Sequence, residues 1–344
     1  MEPLFGKVLE ILVENEQYFA RIESDFLYPG GGGQPCDQAV IQQDGLSFPI
    51  HETRLIQGQP MWVIPNKQLE LGEIQITPDS LYRREVSQQH TAQHIFSGLA
   101  LQKYGWKSDG FTIFLLESKI ELVGADLDLD KYEWLEDQTN QIITQGIPIT
   151  IYEAKEGDIL RKADNPDHTR VVLIEGVDKC CCSGTHVART DQVGGFAILH
   201  IERKNKESVR VTFGAGIRLA KIAKQSKKEE RELKNLLKGD IRERIDILLQ
   251  ESENNREKEK TLISLIASLI PLESPVYRMD QLPLSLESLK YLSLAIQQRG
   301  ITSSLINKEG YFVLSGPTAD SLFEEFKQRG AKGGGKGVIT GRMT

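Results

Sequence analysis

Two short stretches far apart in the chain, His90-Thr91-Ala92-Gln93-His94 and Cys182-Ser183-Gly184-Thr185-His186, each carry two metal-binding side chains four residues apart. On a helix, residues at that spacing project from one face about one turn apart. Taken alone, the His90/His94 pair suits polar surface or a satisfied core as well as an ion. The second pair lies among small residues that let Cys182 and His186 turn towards a common point. Together, His90, His94, Cys182 and His186 make a mixed nitrogen and sulfur set suited to tetrahedral Zn2+ at about 2.0–2.3 Å per ligand. The chain has six histidines, and three fall in these two stretches. A fold for this sequence must therefore bring two distant segments around one point.

Cysteine usage points the same way. Three of the four cysteines are consecutive, Cys180, Cys181 and Cys182, which is poor geometry for a disulfide framework and useful for a metal thiolate. Cys36, Cys180 and Cys181 are read as spare thiols, with Cys181 a competitor for the place of Cys182. The sequence has no apolar run of about 18 residues and no charged-then-apolar leader in its first ten, so a cytoplasmic protein without membrane association is expected. Its net charge of −7 leaves no basic excess for holding a polyanion non-specifically, so any nucleic-acid contact must be local.

At about 100–200 residues per domain, 344 residues suggest two or three domains. Short alternating β-type segments separated by turns fill residues 1–85 and predict a small N-terminal β-barrel. Four glycines, Gly30 to Gly33, stand there between Pro29 and Pro35, a loop able to bring bare backbone N–H groups to a ligand. Residues 86–216 mix a helix at 88–103, a helix at 129–145 and several strands, including 118–123, 170–174, 195–203 and 208–213. This predicts an α+β fold with helices on an antiparallel sheet. Residues 217–270 are rich in Lys, Glu and Arg, with apolar positions at steps of three, four and seven. They predict a helical arm of two amphipathic helices breaking near Ser252 to Asn255. Residues 271–344 read as a small C-terminal α/β domain ending in the glycine-rich Gly333 to Gly337.

Gln88-Gln89-His90-Thr91-Ala92-Gln93-His94 and Cys182-Ser183-Gly184-Thr185-His186-Val187 resemble the paired zinc motifs of alanyl-tRNA synthetase editing domains. The free-standing relatives are the AlaX-type trans-editing proteins, and the length resembles their long form. The Tyr28 to Pro35 loop is similar to one in the amino-terminal barrel of that family, and Gly333 to Gly337 resembles a segment of the synthetase's carboxy-terminal domain. Gly30 and Gly31 stand where relatives often carry a larger or hydroxylated residue, and Ser183 where many have glycine. The resemblance implies zinc-dependent hydrolysis, in trans, of the ester joining a wrong amino acid, serine or glycine, to tRNA(Ala). It also implies tRNA contact and self-association through the arm and carboxy-terminal domain, giving a homodimer.

From the chemistry of ester hydrolysis, four residues are candidates for catalytic roles. Gln93 and Thr185 offer an amide and a hydroxyl beside the ligands, and Gly32 and Gly33 offer backbone N–H groups to an ester carbonyl or a phosphate. Their structural alternatives are a surface amide, a local cap and a hairpin tip. Arg203, Lys204 and Arg210, with Lys336 near the last glycine loop, are candidate RNA-binding residues; a solvated hairpin accounts for the first three equally. A non-catalytic tRNA-binding module with structural zinc remains the alternative.

Overall fold

The computed structural model describes residues 4–65, 68–155, 161, 170–271 and 276–343. The chain divides into two compact units, one up to Glu229 and one from Glu230. The secondary structure is α+β, with six α-helices among the described residues.

The first unit opens with seven strands, β1 (Leu4–Glu14), β2 (Gln17–Glu23), β3 (Ala39–Gln43), β4 (Leu46–Ile50), β5 (Thr53–Ile56), β6 (Gln59–Ile64) and β7 (Gly72–Pro78). They form one sheet in the order β4-β3-β7-β1-β2-β6-β5, antiparallel throughout. The sheet curls: β1 bulges between Val8 and Glu10 in its pairing with β2, and β4 also lies against β6. Bulges increase local twist and bend the strand. Its inner face packs Val8, Ile41, Phe48, Ile50, Trp62, Ile74 and Ile76 into one apolar core.

α1 (Ser80–Tyr104) follows, then β8 (Lys107–Ile113), β9 (Ser118–Val123), α2 (Leu129–Gln145), β10 (Ile149–Glu153), β11 (Arg170–Ile174), β12 (Asp178–Cys181), β13 (Phe196–Arg203) and β14 (Ser208–Ala215). Two antiparallel sheets result, β13-β14-β9-β8 and β10-β11-β12. Phe96, Leu135, Ile174, Val211 and Phe213 meet in the core between helices and sheets.

The sequence places the first helix at 88–103, but α1 begins at Ser80. Asp79 caps its start by accepting from the Tyr82 N–H, and Gly105, at a φ of 70°, closes its end on the Ala100 and Leu101 carbonyls. The early turns escape apolar periodicity because they are polar, with Leu81 exposed. The helix is then buried where it is most polar. Ser87, Gln88, Gln89, His90, Thr91, Gln93 and His94 all lie in the interior. Buried polar groups need partners, and these have them across the fold. Gln88 donates to the Gln192 carbonyl, while Gln89 pairs with both backbone groups of Ala215.

The cysteine stretch, expected as a loop, is partly strand: Cys180 and Cys181 sit in β12, paired with Val172 and Val171 of β11.

The second unit contains the end of α3 (Arg218–Leu237), then α4 (Ile241–Leu269), β15 (Val276–Leu282), α5 (Leu286–Gln297), β16 (Thr302–Asn307), β17 (Tyr311–Ser315), α6 (Ala319–Gln328), β18 (Lys332–Gly334) and β19 (Val338–Arg342). Its sheet runs β15-β16-β17-β19-β18, with β15 parallel to β16 and the other pairs antiparallel. The expected break near Ser252 to Asn255 is corrected: α4 passes through those residues without interruption. The break lies at Lys238, whose φ is 53°, and Gly239; Asp240 then caps α4 by accepting from the Arg242 and Glu243 N–H groups. A cap of this kind satisfies backbone donors that a polar mid-helix stretch does not disturb.

Candidate metal centre

Helix α1 lays Arg83, Ser87, His90 and His94 along one stripe, at steps of four, three and four. Facing them is the chain that leaves β12. There the Arg170 side chain donates to the Cys182 and Gly184 carbonyls at 2.6 and 3.0 Å, and the Cys182 N–H donates to the Arg170 carbonyl. This bracing holds the turn close to the helix. A Cβ on Gly184 would lie 2.3 Å from the His90 ring and 2.6 Å from the Gln34 amide oxygen, so only glycine fits.

The structure brings His90, His94, Cys182 and His186 together, with one ligand atom from each lying within 4.8 Å of the others. The Cys182 Sγ is 3.4 Å from His90 Nε2 and 3.4 Å from His186 Nε2. Tetrahedral zinc with bonds of about 2.0–2.3 Å has ligand-to-ligand edges of about 3.5 Å. The spacing and the donor types fit that ion.

Each imidazole is also fixed from behind. His90 Nδ1 bonds the Gln34 amide oxygen at 2.7 Å, His94 Nδ1 bonds Asp178 Oδ2 at 2.8 Å, and His186 Nδ1 lies 3.1 Å from the Thr91 hydroxyl. A hydrogen bond at Nδ1 selects the tautomer whose Nε2 lone pair is free, which is how metal-binding histidines are oriented. Gln34 is itself held, accepting from the Thr185 N–H at 2.9 Å and donating to the Thr185 hydroxyl at 3.0 Å. Asp178 receives two bonds from Arg161, at 2.7 and 2.8 Å.

Burial and hydrogen bonding shift the protonation of the site residues in opposite directions. Burial opposes a charge on Asp178, yet hydrogen bonds from His94 and Arg161 hold its carboxyl down at about 2. Burial pushes His90 below the usual imidazole value, and burial together with the charge of His90 takes His186 to about 3. For His94, burial is outweighed by hydrogen bonds to Asp178 and Cys182, which raise it. Burial likewise disfavours a thiolate at Cys182, but His90 and hydrogen bonds from the three imidazoles hold the thiol well below its ordinary range. A thiolate is the form that binds metal.

The cluster opens on a cavity of about 660 Å³ whose wall includes Gly31, Gly32, His90, Gln93, His94 and Cys182. Of the four residues expected to act on the ester, Gln93 and Gly32 line this cavity. The Gln93 Nε2 donates to the Ser97 hydroxyl at 2.8 Å. Gly33 turns into the scaffold: its carbonyl accepts from the Ile113 N–H, and a Cβ would lie 1.7 Å from the Phe111 carbonyl oxygen. Thr185 is a bracket, with its hydroxyl bonded by Gln34 and Ser87. Of the candidate RNA-binding residues, Lys204 pairs with Glu121, and Arg210 pairs with Glu121 at 2.9 Å and Glu202 at 3.4 Å. Arg203 ends β13, and Lys336 lies exposed between β18 and β19 in the second unit.

Cys36 is buried elsewhere, its thiol on the His51 carbonyl. Cys180 forms a second close trio with His94 and Asp178, so it stands behind the cluster. Sequence reasoning misses Asp178, Arg161, Thr91 and Gln34 as supports. Gln34 sits in the noted glycine loop, but no spacing rule announces a carboxylate or a guanidinium that acts through a ligand's far nitrogen.

Comparison with known proteins bears on this site. A family model described as the threonyl and alanyl tRNA synthetase second additional domain matches residues 169–212, the stretch holding Cys182 and His186. Alanyl-tRNA editing protein Aarsd1 of Danio rerio is 29% identical over 261 residues, covering 73% of this chain and 62% of the relative. Alanyl-tRNA editing protein AlaX-L of Pyrococcus horikoshii is 30% identical over 226 residues, 62% of this chain and 55% of the relative. The chain is similar to alanyl-tRNA editing proteins of the AlaX type. A third relative, alanyl-tRNA editing protein AlaX-M of Methanosarcina barkeri, is 27% identical over 231 residues and matches over 94% of its own length. The chain spans less than two thirds of the length of the Danio rerio and Mus musculus Aarsd1 proteins, 62% and 61%. No helix among the described residues is long and apolar enough to cross a membrane.

Proposed function

We propose that this chain is a zinc-dependent aminoacyl-tRNA hydrolase that removes wrongly attached serine or glycine from tRNA(Ala) in trans. The observation that carries the reading is the arrangement of three imidazole Nε2 atoms and one thiolate, each imidazole fixed at its other nitrogen, on the wall of a cavity. Relatives named as alanyl-tRNA editing proteins support the substrate class.

His90, His94, Cys182 and His186 would hold the ion, which when bound supplies Lewis acidity and a fixed anchor for a substrate oxygen or water. An aminoacyl ester is already activated, so the protein's task is to position water and stabilise the developing oxyanion. The backbone N–H of Gly32, at the open tip of the glycine loop and on the cavity wall, would donate to that charge. Gln93 already uses Nε2 on Ser97, which leaves its amide oxygen to accept from the substrate's ammonium or from a serine hydroxyl. A hydroxyl partner discriminates serine from alanine more strongly than size does. Thr185 and Gly33 act at one remove, by holding Gln34 and the loop. Lys204, Arg203, Arg210 and Lys336 are proposed contacts for the RNA backbone, weakened for Lys204 and Arg210 by their carboxylate partners. An exposed apolar stripe on α4, Ile245, Leu248, Leu262, Ile266 and Leu269, supports self-association through the arm. The cytoplasm is the proposed compartment.

The test is deacylation of tRNA(Ala) charged with serine, glycine or alanine by the zinc-loaded protein and by His94→Ala. Hydrolysis of the serine ester, lost in the variant and after chelation, is expected; full activity in metal-free His94→Ala would overturn the reading. The four-donor set also favours a closed structural zinc site in a non-catalytic tRNA-binding module. Tight binding of charged tRNA without deacylation above the spontaneous rate would support that alternative.

A further inference from the structure

We infer that Asp37 and Arg83 form a positioning pair that seats the glycine loop against the ligand helix, and that through Gln34 the pair sets the orientation of His90. The inference rests on the metal reading above but concerns residues outside the ligand set and outside the cavity lined by Gly32 and Gln93.

The loop is closed at its base by one carboxylate. Asp37 Oδ2 accepts from the Tyr28 N–H at 2.6 Å, and the Asp37 N–H donates to the Tyr28 carbonyl at 2.9 Å. The two ends of the stretch 28–37 are thereby tied together. Within it, Gly31 and Gln34 exchange backbone hydrogen bonds at 2.9 and 3.0 Å, and the Tyr28 hydroxyl donates to the Gly31 carbonyl. The loop is therefore a rigid body whose height over the site depends on what holds its base.

Arg83 holds it. Its Nε donates to Asp37 Oδ1 at 3.0 Å, a second nitrogen bonds Asp37 Oδ2 and donates to the Phe26 carbonyl at 2.5 Å, and the guanidinium lies 3.7 Å from the Phe26 ring centre. Such a planar fork fixes both distance and angle, which a lysine cannot do. The Asp37 side chain is 4% exposed, so the bond is little screened by water. Arg83 stands seven residues before His90, two helical turns along the same stripe of α1. One face of one helix thus grips the loop base through Arg83 and receives the loop's Gln34 at His90 Nδ1. Loop height and imidazole orientation are set by the same rigid element.

The experiment measures zinc affinity by chelator competition and local hydrogen exchange by mass spectrometry on the full chain, in the native protein, Asp37→Asn and Arg83→Lys. Groups supporting a metal-binding histidine change affinity by about 10–100-fold when removed. The expected result is a zinc dissociation constant raised about tenfold in Asp37→Asn. Amides of 28–37 exchange faster while those of β14 do not change, and Arg83→Lys falls between native and Asp37→Asn. Zinc affinity within twofold of native alongside a loosened loop would overturn the inference, as would an unchanged loop exchange rate. A native protein that binds no zinc would instead sink the metal reading, leaving the exchange data to decide whether the pair seats the loop.

Discussion

Both units of the molecule bury polar side chains, and the contrast between them shows what makes buried polarity a site. In the second unit, Ser293, Ser303 and Ser315 sit between α5, β16 and β17, with hydroxyl separations of 2.7, 2.6 and 3.1 Å; Ser315 also donates to the Ser293 carbonyl. The triad is satisfied within itself. In the first unit, the polar face of α1 is satisfied on one side only. Gln34, Thr91 and Asp178 take the Nδ1 atoms of three imidazoles, and every Nε2 is left facing the others and a thiolate. Imidazole nitrogens and a thiolate converging in a buried site are unfavourable until protons or a cation join them. A closed hydroxyl network stabilises a fold, whereas converging acceptors call for a ligand.

The most severe way to break this contrast is to remove a ligand. Cys182→Ala or His94→Ala is expected to abolish stoichiometric zinc and reduce seryl-tRNA(Ala) deacylation by about 100-fold or more, read by metal analysis and single-turnover hydrolysis. Gly184→Ala comes next, because its new Cβ would meet the His90 ring at 2.3 Å; zinc content should fall with the ring displaced, while circular dichroism retains the α+β spectrum. Asp178→Asn keeps the shape but takes a charge from behind His94, so zinc affinity should weaken about 10–100-fold. The smallest effect is expected in the second unit. Ser303→Ala breaks only the hydroxyl triad, costing about 1–3 kcal/mol in unfolding titrations and leaving zinc affinity unchanged. Zinc loss in Ser303→Ala would erase the distinction between the two kinds of buried polarity.

How much of this was legible in the sequence follows from range. His90, His94, Cys182 and His186 announce themselves because spacing of four along the chain becomes proximity in space, and histidine and cysteine are rare in this sequence, at six and four residues. The helix at 129–145 and the strands at 118–123 and 170–174 match α2, β9 and β11, where periodicity and burial agree. The start of α1 does not show, because Asp79 caps a polar first turn without apolar rhythm. The break in the arm is missed for a related reason. Ser252 to Asn255 are polar but compatible with a helix in solvent, while Lys238 and Gly239 carry the backbone change. Asp178, Arg161 and the Asp37–Arg83 pair are invisible for a third reason: each acts across strands or between a loop and a helix, where no local pattern records the partner. Gly33 and Thr185 were legible as near the site, but only their packing shows that they face the scaffold.

Zinc K-edge X-ray absorption on the purified, zinc-loaded chain reads the donor set at the ion itself. One ion per chain with three nitrogen neighbours at about 2.0–2.1 Å and one sulfur at about 2.3 Å is predicted. A shell without sulfur, or one of oxygen alone, would contradict it.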